Sequence, residues 1–115
     1  MFELIQQYCI SKPGVTEAFP FDQETMVWKV MGKMFCLGNI NGFDSINLKC
    51  NPEKAIELRE TYSQITPGYH MNKTQWNTVY FDGLSEKLIF ELIDHSYDEV
   101  VQKLPKRIKL ELLNQ

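Results

Sequence analysis

The segment Thr25-Met26-Val27-Trp28-Lys29-Val30-Met31-Gly32-Lys33-Met34-Phe35-Cys36-Leu37-Gly38-Asn39-Ile40-Asn41-Gly42-Phe43-Asp44-Ser45-Ile46-Asn47-Leu48-Lys49-Cys50 decides the fold class. Its runs 25–31, 33–40 and 45–50 are rich in β-branched and aromatic residues, and Met31-Gly32 and Asn41-Gly42-Phe43-Asp44 separate them with turn chemistry. Three antiparallel strands are predicted. In the third, Ile46, Leu48 and Cys50 alternate with Asn47 and Lys49, so the period of two assigns one face to the core and one to water.

Helical patterns flank this block. Phe2, Ile5 and Cys9 form a stripe, with Leu4 and Tyr8 beside it, until Pro13-Gly14 stops the pattern. Asn51-Pro52 reads as an N-cap followed by proline at the first helical position, and Ala55, Ile56, Leu58, Arg59 and Tyr62 recur at helical spacing towards an end near Ser63. After Pro67-Gly68, the run Trp76 to Phe81 reads as a further strand ended by Asp82-Gly83. Ser85 caps the longest helix, whose Leu88, Ile89, Leu92, Ile93, Tyr97, Val100, Val101 and Leu104 make a broad apolar stripe to cover the sheet. Pro105 interrupts the pattern, leaving residues 106–113 as either a short separate helix or a mobile basic tail.

A chain of 115 residues with 43% hydrophobic and 23% charged residues is expected to be one globular domain. Its three cysteines, Cys9, Cys36 and Cys50, are odd in number and lack Cys-x-x-Cys spacing, which argues against a disulfide framework or thiolate zinc site and for a reducing cytoplasm. No apolar run approaches the ~18 residues needed to span a bilayer, and the first residues do not read as an export signal. A net charge of −3 speaks against nucleic acid at first, but its distribution does not. Over residues 25–50 and 61–81 the only charges are Lys29, Lys33, Lys49, Lys73 and Asp44, whereas residues 82–99 carry six acids against Lys87. A basic sheet side and an acidic helix side follow.

The chemically distinctive loop is Pro67-Gly68-Tyr69-His70-Met71-Asn72-Lys73-Thr74-Gln75-Trp76-Asn77, which gathers rings, amides and a lysine and contains no carboxylate. Lysines suit phosphates, flat rings suit exposed bases, and amides suit base edges, so Lys29, Lys33, Lys49, Tyr69, His70, Asn72, Lys73, Trp76 and Asn77 form the candidate binding set. The alternative is that Tyr69 and Trp76 face the core and the lysines protect sheet edges. No glycine-rich phosphate loop is present. Cys36 and Cys50 fall in hydrophobic strands, which favours buried thiols over nucleophiles, and His70 has no nearby sequence partner to orient it. His95 lies one turn from Glu91 and from Glu99, but two histidines in the chain make a helix of local pairs the better reading than a metal site. No catalytic set, metal or cofactor is therefore assigned.

Several segments resemble one family. Lys12-Pro13-Gly14-Val15-Thr16-Glu17 with Phe19-Pro20-Phe21, then Lys29-Val30, Gly32-Lys33-Met34-Phe35 and Asn47-Leu48-Lys49-Cys50, are similar to blocks of the MmcQ/YjbR-like family of small bacterial proteins. Pro67-Gly68-Tyr69-His70-Met71-Asn72-Lys73 with Trp76-Asn77, Asp94-His95-Ser96-Tyr97 and Lys103-Leu104-Pro105-Lys106 continue the likeness over residues 1–106, with 107–115 as an extension. The resemblance implies an α+β domain, an antiparallel β-sheet packed against α-helices with frataxin-like topology, and a DNA-binding role through hairpin wings. Here the hairpin Met26–Ile40 and the loop Pro67–Asn77 are the wing candidates. Iron handling is not expected, because the opening helix has only Glu3 where an acidic ridge would be needed. The expected function is thus a non-enzymatic DNA-binding or regulatory module. The alternative is a domain that binds a planar or anionic small molecule or a protein in a pocket around 67–77, without membrane contact.

Overall fold

The computed structural model describes residues 1–68 and 71–115. In chain order the elements are α1 (Phe2–Ile10), β1 (Val15–Ala18), β2 (Thr25–Val30), β3 (Lys33–Asn39), β4 (Ser45–Lys49), α2 (Pro52–Thr61), β5 (Ile65–Pro67), β6 (Trp76–Tyr80), α3 (Glu86–Gln102) and α4 (Lys106–Leu113). The strands form one sheet in the order β1-β2-β3-β4-β6-β5, antiparallel throughout. This is the expected α+β architecture, an antiparallel sheet packed against helices.

The predicted elements are present for the expected reasons. Met31 and Gly32 both take positive φ, 48° and 83°, as a two-residue type I′ turn between twisted strands requires. Asn51 caps α2 by accepting from the N–H groups of Glu53 and Lys54, and Ser85 caps α3 by accepting from Leu88. Two strands were not legible in the sequence. β1 is four residues long and largely exposed, while β5 has three residues and ends in proline, so neither shows a sustained period of two.

The helices cover one face of the sheet. Trp28, Phe35 and Ile46 meet Ile5 of α1 and Ile89 and Ile93 of α3 there, all without exposed surface. Leu112 of α4 joins the same core, so the segment left open as helix or tail is a docked helix. Its seat explains Gly14, whose φ is +74° and whose Cβ, if present, would lie 2.6 Å from Leu112 Cδ1. Of the residues expected on the buried stripe of α2, Ile56 remains 53% exposed, because only Ala55 on that helix is fully covered.

The opposite face is not simply wet. Val27, Leu37 and Trp76 form a second buried cluster there, with Met34 and Met71 packed on it. The segment from 71 to 76 folds back over strand ends and covers apolar positions that alternation alone assigns to solvent.

Four consecutive residues of α3 tie the layers together. Asp94 accepts from the Tyr8 hydroxyl at 2.7 and 2.9 Å and pairs with Lys12, securing α1 and the turn after it. His95 Nε2 accepts from the N–H of Asn51 at 3.2 Å, which anchors the start of α2 and replaces the local pairing with Glu91 and Glu99 expected for this histidine. Ser96 joins β3 to β4 through its hydroxyl, and the Tyr97 hydroxyl donates to the carbonyl of Pro13 at 2.6 Å.

Candidate functional site

The site begins where β3 and β4 part. Their register pairs Cys36 with Leu48 and Leu37 with Asn47, and at the next position, Phe35 opposite Lys49, the hydroxyl of Ser96 intervenes. Ser96 Oγ accepts from the Lys49 N–H at 2.8 Å and donates to the Phe35 carbonyl at 2.5 Å, with no exposed surface on Ser96 itself. The ladder bond is thus replaced by two bonds through a side chain, which satisfies both backbone groups while holding the strands apart. Beyond this wedge lies a groove of about 270 Å³. Lys33 and Met34 of β3 and Lys49 of β4 line one side, and Val100, Lys103 and Leu104 at the end of α3 line the other, over Trp76.

The expected lysines gather at this end of the sheet. Register pairs Lys29 with Met34 and Lys49 with Trp76, and Lys33 follows the hairpin turn. Asp44 precedes the opposite end of β4, and Asp22 spends its carboxylate on the N–H groups of Glu24 and Thr25 beyond the far end of β2. Among the described residues the one salt bridge is Lys12 to Asp94, so Lys29, Lys33, Lys49, Lys73 and Lys103 carry no carboxylate within 4.0 Å. Burial lowers the pKa of Lys49, the charge of Lys103 lowers it further, and Glu99 opposes both. Lys103 was missed as a site residue, since it closes a helix some 50 residues after Lys49 and no local pattern links them.

The aromatic and amide candidates take other roles. Trp76 is only 8% exposed and belongs to the apolar cluster of the outer face, so it offers no free ring face for stacking a base. Asn77 is 2% exposed, and its Oδ1 accepts from Arg59 Nε at 2.6 Å. The same guanidinium donates to the Lys73 carbonyl and, at 3.3 Å, to the Trp76 carbonyl. Arg59 is therefore a clasp from α2 onto the loop that carries Lys73, where the sequence pattern placed it only within a helical stripe. Asn72 is exposed and shapes the turn, its Oδ1 accepting from the Thr74 N–H at 3.0 Å. Gly68 is required there by close approach, since a Cβ would meet Trp76 Cβ at 2.9 Å. Tyr69 and His70 lie outside the described residues.

Cys50, His95 and Asn77 line a small cavity of about 10 Å³ between α2, α3 and the sheet. The buried Nδ2 group of Asn77 has no hydrogen-bond partner among the described residues. The cavity is the size of one water, not of a substrate. Burial pushes the Cys50 thiol up to about 11, and His95 already uses Nε2 as an acceptor, so the trio is not an activated nucleophile with its base. Cys9, Cys36 and Cys50 are all free and buried. Among the described residues no group of three or more His, Cys, Asp or Glu side chains is placed to hold a metal ion, and no helix is long and apolar enough to cross a membrane.

Residues 10–99 match the model of the YjbR family, a span that includes the wedge at Ser96, the Arg59 clasp and two of the three groove lysines. The chain belongs to the YjbR family. This YjbR-family chain is 38% identical over 109 residues to the uncharacterized protein YbdF of Escherichia coli O157:H7, across 93% of the chain and 89% of that relative. It is 37% identical over 102 residues to the uncharacterized protein YjbR of Escherichia coli strain K12, across 87% and 86%. The crystal structure of Deinococcus radiodurans protein DR2400 is similar with a TM-score of 0.90 at 38% identity, covering 97% of this chain and 87% of that one. The crystal structure of a Pseudomonas syringae protein, target PsR293, is similar with a TM-score of 0.70 at 28% identity, over 84% and 96%. These relatives are bacterial, and the two solved structures carry the same α+β fold.

Proposed function

We propose that this YjbR-family chain is a non-enzymatic module that binds the phosphate backbone of DNA through the lysine-rich end of its sheet. The observation that supports the reading is the clustering of Lys29, Lys33, Lys49 and Lys73 at one end of the sheet, none paired with a carboxylate among the described residues, while Asp22 and Asp44 sit towards the other. Lysines without partners raise the local potential and favour a polyanion even on a chain of net charge −3. The β2–β3 turn and the loop held by Arg59 project this charge as two wings. With Trp76 and Asn77 engaged inside the protein, binding is to phosphates and not to base edges, so little sequence preference is expected.

Counterion release gives the test: about four engaged lysines correspond to a slope near −4 in log affinity against log salt. Fluorescence anisotropy with a labelled duplex from low to moderate salt, repeated with Lys49→Ala and Lys73→Ala, measures it. Each substitution is expected to flatten the slope by about one unit. A flat salt response with both variants binding like the parent would reject the reading.

A second reading rests on the outer face, where Phe21, Met34, Leu37, Asn47 and Met71 line a groove of about 360 Å³. Phe21 is 63% exposed above it, and flexible methionines with an aromatic edge suit a planar apolar small molecule. A ligand screen followed by Trp76 fluorescence tests this reading, and a flat response across planar compounds would count against it.

A further inference from the structure

We propose that the groove between the end of α3 and the parted ends of β3 and β4 is a site for a phosphomonoester, with Lys33, Lys49 and Lys103 around the phosphate and the organic part lying along Met34 and Leu104. The inference rests on the reading of this sheet end as anion-binding and narrows it to one pocket and one chemical class.

The three lysines come from three different elements: the start of β3, the end of β4 and the end of α3. Nothing local brings them together; the crossing of α3 over the sheet does. Their convergence is electrostatically unfavourable without an anion, and Lys49 registers it, its amine being held down first by burial and then by the charge of Lys103. Among the described residues no carboxylate lines the groove. Glu99, one turn before Lys103 on α3, influences Lys49 at a distance but forms no salt bridge with either amine among the described residues. The groove is also a built feature: the buried Ser96 hydroxyl keeps β3 and β4 apart at its inner end. A fold that spends two hydrogen bonds on a gap and surrounds that gap with three unpaired cations has the form of an anion site.

The chemistry favours a monoester over an internal phosphodiester. A monoester carries about −1.5 to −2 charges at pH 7 and three acceptor oxygens, which match three ammonium groups, whereas a diester carries one charge. The apolar residues Met34, Val100 and Leu104, with Trp76 beneath, favour an ester over inorganic phosphate. Two sources present this group: the phosphorylated end of a nucleic-acid strand and a free phosphorylated small molecule.

An amide NMR titration of the full chain at low salt distinguishes them, with inorganic phosphate, phenyl phosphate, and two duplexes identical except for a 5′-phosphate or a 5′-hydroxyl. Phenyl phosphate is expected to shift the amides of Lys33, Lys49 and Lys103, and Lys103→Gln and Lys33→Gln are each expected to weaken it about tenfold. Both lysines are exposed, and thermal melting verifies that the variants fold. A 5′-phosphate duplex that binds about tenfold tighter than its 5′-hydroxyl partner identifies the strand end as the source. Equal duplex affinities with phenyl phosphate still bound identify a small molecule. Absence of groove shifts with phenyl phosphate, or shifts indifferent to both substitutions, would overturn the proposal. Salt-dependent binding of the 5′-hydroxyl duplex would in that case leave the backbone reading standing. Phenyl phosphate binding without any duplex binding would remove the backbone reading and keep the groove.

Discussion

Replacing Ser96 with alanine isolates the wedge that opens the groove. The substitution removes an acceptor used by the Lys49 N–H at 2.8 Å and a donor used by the Phe35 carbonyl at 2.5 Å, at a residue with no exposed surface. Each backbone group left without a partner costs about 1–3 kcal/mol, so a total near 3 kcal/mol is expected after partial relaxation of the strands. For a chain of this length about 4 °C is lost per kcal/mol, which gives a fall in Tm of about 12 °C. Urea denaturation followed by far-UV circular dichroism measures the free energy, and amide exchange at Lys49 measures the local effect, with protection expected to fall about tenfold or more. Phenyl phosphate affinity should fall with it, because the groove loses its inner support. A stability loss below about 0.5 kcal/mol with Lys49 still protected would mean that β3 and β4 close on each other without the hydroxyl and that Ser96 is no wedge.

Arg59→Met strands the buried amide of Asn77 and is expected to cost about 2–3 kcal/mol, whereas Arg59→Met with Asn77→Leu, which removes both partners, should regain most of it; urea midpoints of the four proteins in the cycle decide, and additive losses would contradict the clasp. Burial, and then Lys54, hold the pKa of His95 below 6.5, and only its neutral ring can accept from Asn51, so stability is present above pH 6.5 and declines as pH falls through the lower folded value. Denaturation midpoints across that window should show the decline and lose it in His95→Gln; a window unchanged by the substitution would assign the titration elsewhere. The three buried thiols should react with Ellman's reagent on the native protein at least about a thousandfold slower than in urea, since labelling needs opening of a fold stable by several kcal/mol; a fast native phase would expose one of them.

Legibility followed locality. Type I′ turn chemistry at Met31-Gly32, the Asn51 and Ser85 caps and the apolar stripe of α3 each involve neighbours within a few residues, and each could be read without tertiary information. β1 and β5 could not, because short edge strands owe their conformation to the partner they pair with. Charge segregation was legible as composition, whereas the groove shared by Lys33, Lys49 and Lys103 was not. The roles of Trp76 and Asn77 were not, since residue types that suit nucleic-acid contact also suit a covered sheet face and a guanidinium partner. The signal that would have pointed to Arg59 was its own chemistry: an arginine at an inward helical position needs acceptors, and the facing loop offers carbonyls and an amide.

Local patterns were enough for an α+β chain with paired antiparallel strands, a long covering helix and a basic sheet flank, because hydrophobic period, caps and turn residues act over single turns and single hairpins. Long-range packing, by contrast, sets that Lys103 lines one groove with Lys33 and Lys49, that Ser96 bridges two strands, and that Trp76 and Asn77 are buried. Those facts depend on where α3 crosses the sheet and how the segment 71–76 folds back. Both are set by packing between residues distant in sequence, about which local periodicity carries no information.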